Sequence, residues 1–387
     1  MADNIIIPTT DVVEDLSKID DHLADLYRRT ADAEGAGSSV PVVRTLLLNL
    51  IIYVSRSDAM AEAANDVAEV MGSHPCRAII VSLDGPGSTK PAATVSAVCG
   101  ITERGDRRLC GEIIELRAGG MGDAIVGMVM PLLVPDVPVF VWAPGNAPCS
   151  REEFRAVADV ADHVIIDSRG FADLRTGLES MPPLCTRPYS PPYEGGAGGG
   201  VQDLCWISLH PWRDLAAQHF DPPMARRYLA RLTGIEVKFN PGERADAPPA
   251  AALLIASWLM ECTGMDIACM EREESGGFRI DARQDDRPVD IRLAPEDLGY
   301  APGTLNSVTI RGGDESGMAS FVTHRVSDTR ISATEECAGI CFAPMVVEFP
   351  IQSAPSLVRE ALDTYGKDQV YEDAMAVEVC VLSRMVI

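Results

Sequence analysis

Basic residues are scarce in this sequence: 33 lysines and arginines stand against 57 aspartates and glutamates, leaving a net charge of −24 over 387 residues. A surface of that sign repels nucleic-acid phosphates and anionic lipid, so neither is an expected partner. It favours solubility and would suit a protein partner with basic patches. Aromatic residues make up only 5% of the chain, so its cores must rest on Val, Leu, Ile, Ala and Met. Membrane-spanning runs are missing as well. The stretch Met128 to Gly145, MVMPLLVPDVPVFVWAPG, carries four prolines and one charge, Asp136. The prolines break a helix and the aspartate would sit near mid-bilayer. The stretch is therefore a buried strand with its turns, or a surface built for another protein. Met1 to Thr10 has no basic residue to start a secretory signal, and the expected location is cytoplasmic.

The usual catalytic and metal signatures are also missing. No CxxC, HExxH, GxSxG or GKS/GKT occurs. The eleven cysteines are scattered, which fits free thiols in a reducing cytosol. The nearest pair, Cys337 and Cys341, would lie one turn apart on a helix. The carboxylate pairs Asp20-Asp21, Glu152-Glu153, Glu273-Glu274 and Asp285-Asp286 are sequence neighbours, which do not share a helix face and make poor acid–base dyads. No metal and no cofactor is expected.

At about 100–200 residues per domain the length suggests two domains. Val12, Leu16, Ile19, Leu23 and Leu26 mark one face of a helix over 11–29, capped by Asp11. Residues 1–40 are thus an N-terminal helix and linker. The apolar run Val42 to Val54 reads as a buried helix, and Asp58 to Met71 as a second one ended by Gly72. From Arg77 the chain alternates. Strands are expected at 78–83, 93–101, 110–116, 137–142 and 163–167, the second and third forming a hairpin. Helices are expected at 121–133, 151–160 and 171–179. That pattern predicts an α/β domain with a Rossmann-like sheet over 41–181. The Pro/Gly-rich stretch 182–200 is an interdomain linker. Residues 201–387 form a smaller α+β domain: helices near 210–220, 224–232 and 250–262, a strand at 235–239, short strands through 278–334, and closing helices at 356–365 and 369–377.

Three groups of residues are candidate sites. RAGGMGDAIVG, Arg117 to Gly127, lies between a strand and a helix, where a phosphate loop would be. Its third glycine position is Ile125, and Asp123 would repel a phosphate, so a tight turn fits as well. In HPCR the histidine and arginine, His74 and Arg77, flank Cys76 and could lower its thiol pKa; Pro75 more simply ends a helix, leaving a polar or ligand-contact role. Trp142, Pro144 and Gly145 close the 137–142 strand, the edge where open α/β sheets bind ligands. Together with His210, Trp212, Arg213, Arg226 and Arg227 they are the partner-binding candidates, because Trp and Arg are common interface anchors.

Four stretches in order carry a family resemblance: RTLLLNLIIYV (Arg44 to Val54), SHPCRAIIV (Ser73 to Val81), CGEIIEL leading into PLLVPDVPVFVW (Cys110 to Trp142), and ADHVIIDSRGF (Ala161 to Phe171). Trp206, Trp212, Arg226-Arg227 and IEVKF extend it less sharply. The chain resembles the OpcA family, the glucose-6-phosphate dehydrogenase assembly proteins of cyanobacteria and actinobacteria. The resemblance implies a non-enzymatic activator that binds that dehydrogenase, promotes its active oligomer and favours NADPH production in the oxidative pentose phosphate pathway. The dehydrogenase would carry the NADP and the chemistry. Cyanobacterial members are associated with a thioredoxin-linked thiol switch, which implies thioredoxin as a second partner, although no cysteine pair here matches such a switch. The alternatives are a Rossmann-like metabolic enzyme or sugar-phosphate or nucleotide binder, and a cysteine-based redox sensor.

Overall fold

The computed structural model describes residues 5–8, 12–34, 42–82, 91–101, 108–118, 124–145, 151–181, 184, 200–242, 246–314, 317–364 and 366–386. Two compact units divide these residues. The first comprises Met1–Ala172, Ser180–Leu204 and Ser353–Lys367; the second comprises Asp173–Glu179, Cys205–Gln352 and Asp368–Ile387.

The first unit is built on a nine-stranded sheet. Its strands are β1 (Ile5–Pro8), β2 (Val42–Arg44), β3 (Asn49–Val54), β4 (Arg77–Ser82), β5 (Ala92–Ile101), β6 (Arg108–Arg117), β7 (Val139–Trp142), β8 (His163–Ile166) and β9 (Val201–Asp203). The parallel part runs β6-β4-β3-β7-β8-β9. Counted from β3, this is the doubly wound order 3-2-1-4-5-6. The antiparallel hairpin β5–β6 and strand β1 extend one edge. The helices are α1 (Ile19–Glu34), α2 (Met60–Val70), α3 (Ile125–Val129) and α4 (Glu152–Ala158).

The expected buried helix over Val42–Val54 is two strands. β3 is buried at every position, as is β4 beside it. A strand covered on both faces reads as an unbroken apolar run, which periodicity cannot tell from a buried helix. Helix α1 forms, and Ile19, Leu23 and Leu26 are buried, but Val12 is 57% exposed and precedes the helix. Asp15 caps the short 3-10 turn leading into it, accepting from the Ser17 backbone N–H. Asp11 lies outside the described residues.

The second unit contains helices α5 (Leu174–Glu179), α6 (Leu204–Ser208, beginning at the unit boundary), α7 (His210–Gln218), α8 (Pro223–Leu229) and α9 (Ala250–Cys262). Its ten-stranded sheet follows the order β17-β16-β15-β14-β10-β13-β12-β11-β19, with β18 also paired to β16. The strands are β10 (Leu232–Phe239), β11 (Asp266–Arg272), β12 (Phe278–Gln284), β13 (Arg287–Pro295), β14 (Leu305–Asp314), β15 (Gly317–Ser327), β16 (Arg330–Cys337), β17 (Ile340–Cys341), β18 (Met345–Glu348) and β19 (Met385–Val386). Helix α10 (Ala354–Asp363) belongs to the first unit, and α11 (Gln369–Ser383) packs on α9 in the second. In β12 every second residue is buried, and its outward Arg279 lies in register with the exposed Arg292 of β13 and Glu271 of β11. The fold is α/β, with a Rossmann-like parallel sheet followed by a smaller unit built on a mixed sheet.

The cysteines depart from the expectation of scattered free thiols. Cys99 and Cys110 face each other across the β5–β6 hairpin and form a disulfide. Cys337 and Cys341 lie on adjacent strands rather than on a helix.

Candidate functional site

In a doubly wound sheet the ligand crevice opens at the C-terminal ends of the strands where the order reverses, here β3 and β7. The turn after β3 is Ser55-Arg56-Ser57-Asp58, leading into α2. It has no glycine. Asp58 stands at the helix start, where a phosphate would sit, and is bound by Arg56 Nε and Nη2 at 3.0 and 2.6 Å. A carboxylate there opposes a second anion, and the missing glycines deny a pyrophosphate close backbone approach. The glycine-rich RAGGMGDAIVG segment instead follows β6, two strands away, and Gly119 to Asp123 lie outside the described residues.

At the end of β7, Trp142 is only 1% exposed, and its indole N–H has no hydrogen-bond partner. Pro144 is half-buried and Gly145 is exposed at φ +65°. The loop after β8 packs onto them so closely that a Cβ on Gly170 would collide with the Gly145 carbonyl. Trp142 is therefore a core residue, and its expected role as a surface anchor is corrected. Only Gly145 and the edge of Pro144 meet solvent.

The HPCR segment holds the sheet together. Arg77 is buried and donates to Glu112 Oε2, the Leu132 carbonyl and Asp20 Oδ1, each at 2.7 Å. Arg44 donates to the other oxygen of Glu112 at 2.5 Å. Cys76 is fully buried; burial first, and Glu112 second, push its thiol upward. That is the opposite of an activated thiolate, so the reactive-thiol reading is corrected. His74 bonds Ser73 Oγ and Asp363 Oδ1, both at 3.0 Å. Glu112, Arg44 and Asp20 complete this cluster, and none of them stands out from the sequence as a candidate. The available signal is an acidic residue inside the apolar strand CGEIIEL.

The second unit separates the other candidates. Trp212 is 3% exposed, with the Arg325 guanidinium 5.5 Å over its ring. It too is core, not a contact residue. Arg213 stacks 3.4 Å over Trp206, whose indole N–H donates to Asp368 at 2.7 Å. Arg226 caps the end of α7 through the carbonyls of Phe220 and Asp221, and Arg227 lies over Tyr228. Both are exposed, yet each guanidinium is engaged in its own unit. His210 reaches the surface, pairing with Asp214 at 3.2 Å. With Pro211, Leu215 and Gln218 it forms one wall of a cleft of about 200 Å³, whose other wall is Val347, Glu348, Phe349 and Pro350. Another residue that the sequence does not single out is His219, buried between Glu335 Oε1 at 3.0 Å and Thr323 Oγ1 at 3.1 Å. Burial holds its imidazole below the usual pKa, and the Glu335 carboxylate opposes this.

Among the described residues no group of three or more His, Cys, Asp or Glu side chains could hold a metal ion, and no helix is long and apolar enough to cross a membrane. The arrangement offers buried ion pairs, a small surface cleft and exposed strand edges.

Comparison with known proteins gives two family matches, to the two domains of a family described as a glucose-6-phosphate dehydrogenase subunit. Residues 67–182 match its N-terminal domain, and residues 199–375 match its C-terminal domain. The chain is 26% identical over 330 residues to the OxPP cycle protein OpcA of Synechocystis sp., covering 81% of this chain and 65% of that protein. It is 27% identical over 317 residues to the OpcA of Synechococcus elongatus, covering 79% and 67%. The chain thus spans about two thirds of the length of these relatives. Among solved structures, the transcriptional regulator Gal80p of Kluyveromyces lactis aligns with a TM-score of 0.47 and 9% identity, over 87% of this chain and 91% of that one. Matched by family profiles along both halves, the chain belongs to the OpcA family of glucose-6-phosphate dehydrogenase assembly proteins.

Proposed function

We propose that this protein is a non-catalytic effector that binds glucose-6-phosphate dehydrogenase, promotes its active oligomer and so favours NADPH production in the oxidative pentose phosphate pathway. One observation carries the reading. The family match, from residue 67 onward, covers most of a doubly wound domain whose first turn, Ser55 to Asp58, has no glycine and presents a carboxylate where a dinucleotide phosphate would bind. Such a domain has kept the sheet and lost the phosphate cradle, which suits a scaffold better than a dehydrogenase. Activation then requires tighter binding to the active oligomer than to the inactive form, because equal affinity shifts no equilibrium.

The test is a glucose-6-phosphate titration of the same organism's dehydrogenase with and without the purified protein. A left-shifted curve or a higher plateau is expected, together with co-migration on a sizing column. Identical curves at saturating protein would sink the activator reading. Turnover of a sugar phosphate or nucleotide by the protein alone would favour an enzyme instead.

Redox control is a second reading, favoured by the Cys99–Cys110 disulfide. Both residues are buried against Leu26 and Tyr27 of α1, so the closed fold shields the sulfurs from a reductant. Thioredoxin would be the partner for such a switch. Dehydrogenase activation that is unchanged by reduction would remove this reading.

A further inference from the structure

The free edge of the second unit's sheet is unusually apolar. β16 turns back through Ala338-Gly339, both at positive φ, and the returning chain runs along its edge as β17 and then β18. Opposed residues share a face, so Ile340, Phe342, Met345 and Val347 follow Cys337, Glu335, Ala333 and Ile331 on the helix side of the sheet. Ile340 is 58% exposed, Phe342 37% and Met345 39%. Val347 and Phe349 carry this stripe into the cleft beside α7.

The backbone of β18 is unfinished as well. The Phe349 N–H donates to the Thr329 carbonyl. In an antiparallel ladder that phase turns Val347 and Met345 toward β16 and turns the N–H and C=O of Val346 and Glu348 outward. Among the described residues, β18 pairs only with β16. An exposed apolar edge with free backbone groups is a template for strand addition.

Charge decides the occupant. Glu336 is exposed along this edge, as are Glu348, which pairs with Arg330 at 3.3 Å, and Asp214, which faces His210; the whole chain carries −24. A second copy would bring the same sign and be repelled, whereas a segment with lysine or arginine would be attracted. We propose that β18 is a docking edge for an extended, basic segment of the partner dehydrogenase, which adds as a strand and seats alternate apolar side chains on Ile340, Phe342 and Met345. This rests on the reading that the dehydrogenase is the partner.

The test is a binding titration of the purified dehydrogenase against the wild-type chain, Val346→Pro and Met345→Lys, with amide hydrogen exchange of the wild type in parallel. Proline at 346 removes an outward N–H while sparing every bond to β16, and lysine at 345 places a cation in the apolar stripe. Both variants should bind at least tenfold more weakly with unchanged circular dichroism, and the Val346 and Glu348 amides should gain protection when the dehydrogenase is added. Equal binding by all three chains would overturn the edge and leave the partner reading standing. No binding by the wild type would overturn both. Protection of the edge that rises with protein concentration in the absence of the dehydrogenase would identify a second copy as the occupant and overturn the proposal.

Discussion

Arg77 and Glu112 are register partners on β4 and β6 and hold an ion pair, Nε to Oε2 at 2.7 Å, with side chains 4% and 0% exposed. Glu112 is also the acceptor for Arg44. Removing its charge alone leaves Arg77 buried without its carboxylate, since Asp20 is 70% exposed and a weak substitute. Glu112→Gln should therefore cost about 3–5 kcal/mol. Replacing both partners by apolar residues, Arg77→Met with Glu112→Leu, should recover much of that loss. Urea unfolding of the three variants checks this; a loss under about 1 kcal/mol for Glu112→Gln would mean water reaches the pair.

Trp142 gives a prediction of the opposite kind. It is among the largest fully buried side chains of the first unit. Trp142→Ala opens a cavity in the central sheet and should cost about 3–5 kcal/mol. Weakened dehydrogenase binding by this variant would then follow from unfolding, and its thermal melt must be read first. A variant with a wild-type melting temperature would contradict the burial of this indole.

These residues show what the sequence could and could not disclose. Alternating strands and helices and the β5–β6 hairpin were legible because their periodicity and punctuation are local. Val42–Val54 was not, because a strand buried on both faces has no period to read. Trp142 and Trp212 looked like interface anchors because composition favours tryptophan at interfaces; whether an indole faces out depends on the layer above it, which is a tertiary fact. The edge stripe Ile340, Phe342, Met345 escaped for the converse reason. AGICFAPMVVEFPI is mostly apolar, and only the sheet order leaves it at an edge.

Ala338 sits at φ +51° in the two-residue turn between β16 and β17. A non-glycine residue in the left-handed region costs roughly 1–2 kcal/mol, and this turn type favours asparagine or glycine there. Ala338→Asn or Ala338→Gly should therefore stabilise the hairpin by about 0.5–1 kcal/mol. The change should appear as a raised melting temperature and slower amide exchange at Ile340 and Phe342. Unchanged exchange at those amides would mean the turn is relaxed in another conformation.

His219 makes stability depend on pH in a definite direction. Its imidazole is buried and bonded on both nitrogens, with Nδ1–H donating to Glu335 and Nε2 accepting from the Thr323 hydroxyl in the neutral form. Burial places the folded pKa below the ordinary value of 6.5, and Glu335 only partly restores it. As pH falls through 6.5 the unfolded chain takes up a proton that the folded chain refuses. The contribution is thus complete above 6.5 and is lost progressively down to the folded pKa, at up to about 1.4 kcal/mol per pH unit within that window. His219→Gln keeps a neutral polar side chain at every pH. It should be less stable than the wild type at pH 7.5 by about 1–3 kcal/mol, because its amide cannot reproduce both bonds. Between pH 7.5 and 5.5 its urea midpoint should fall less than that of the wild type. Parallel pH profiles for the two proteins would mean that the folded and unfolded pKa values of His219 coincide, and a wild type that gains on the variant as pH falls would mean an imidazolium paired with Glu335.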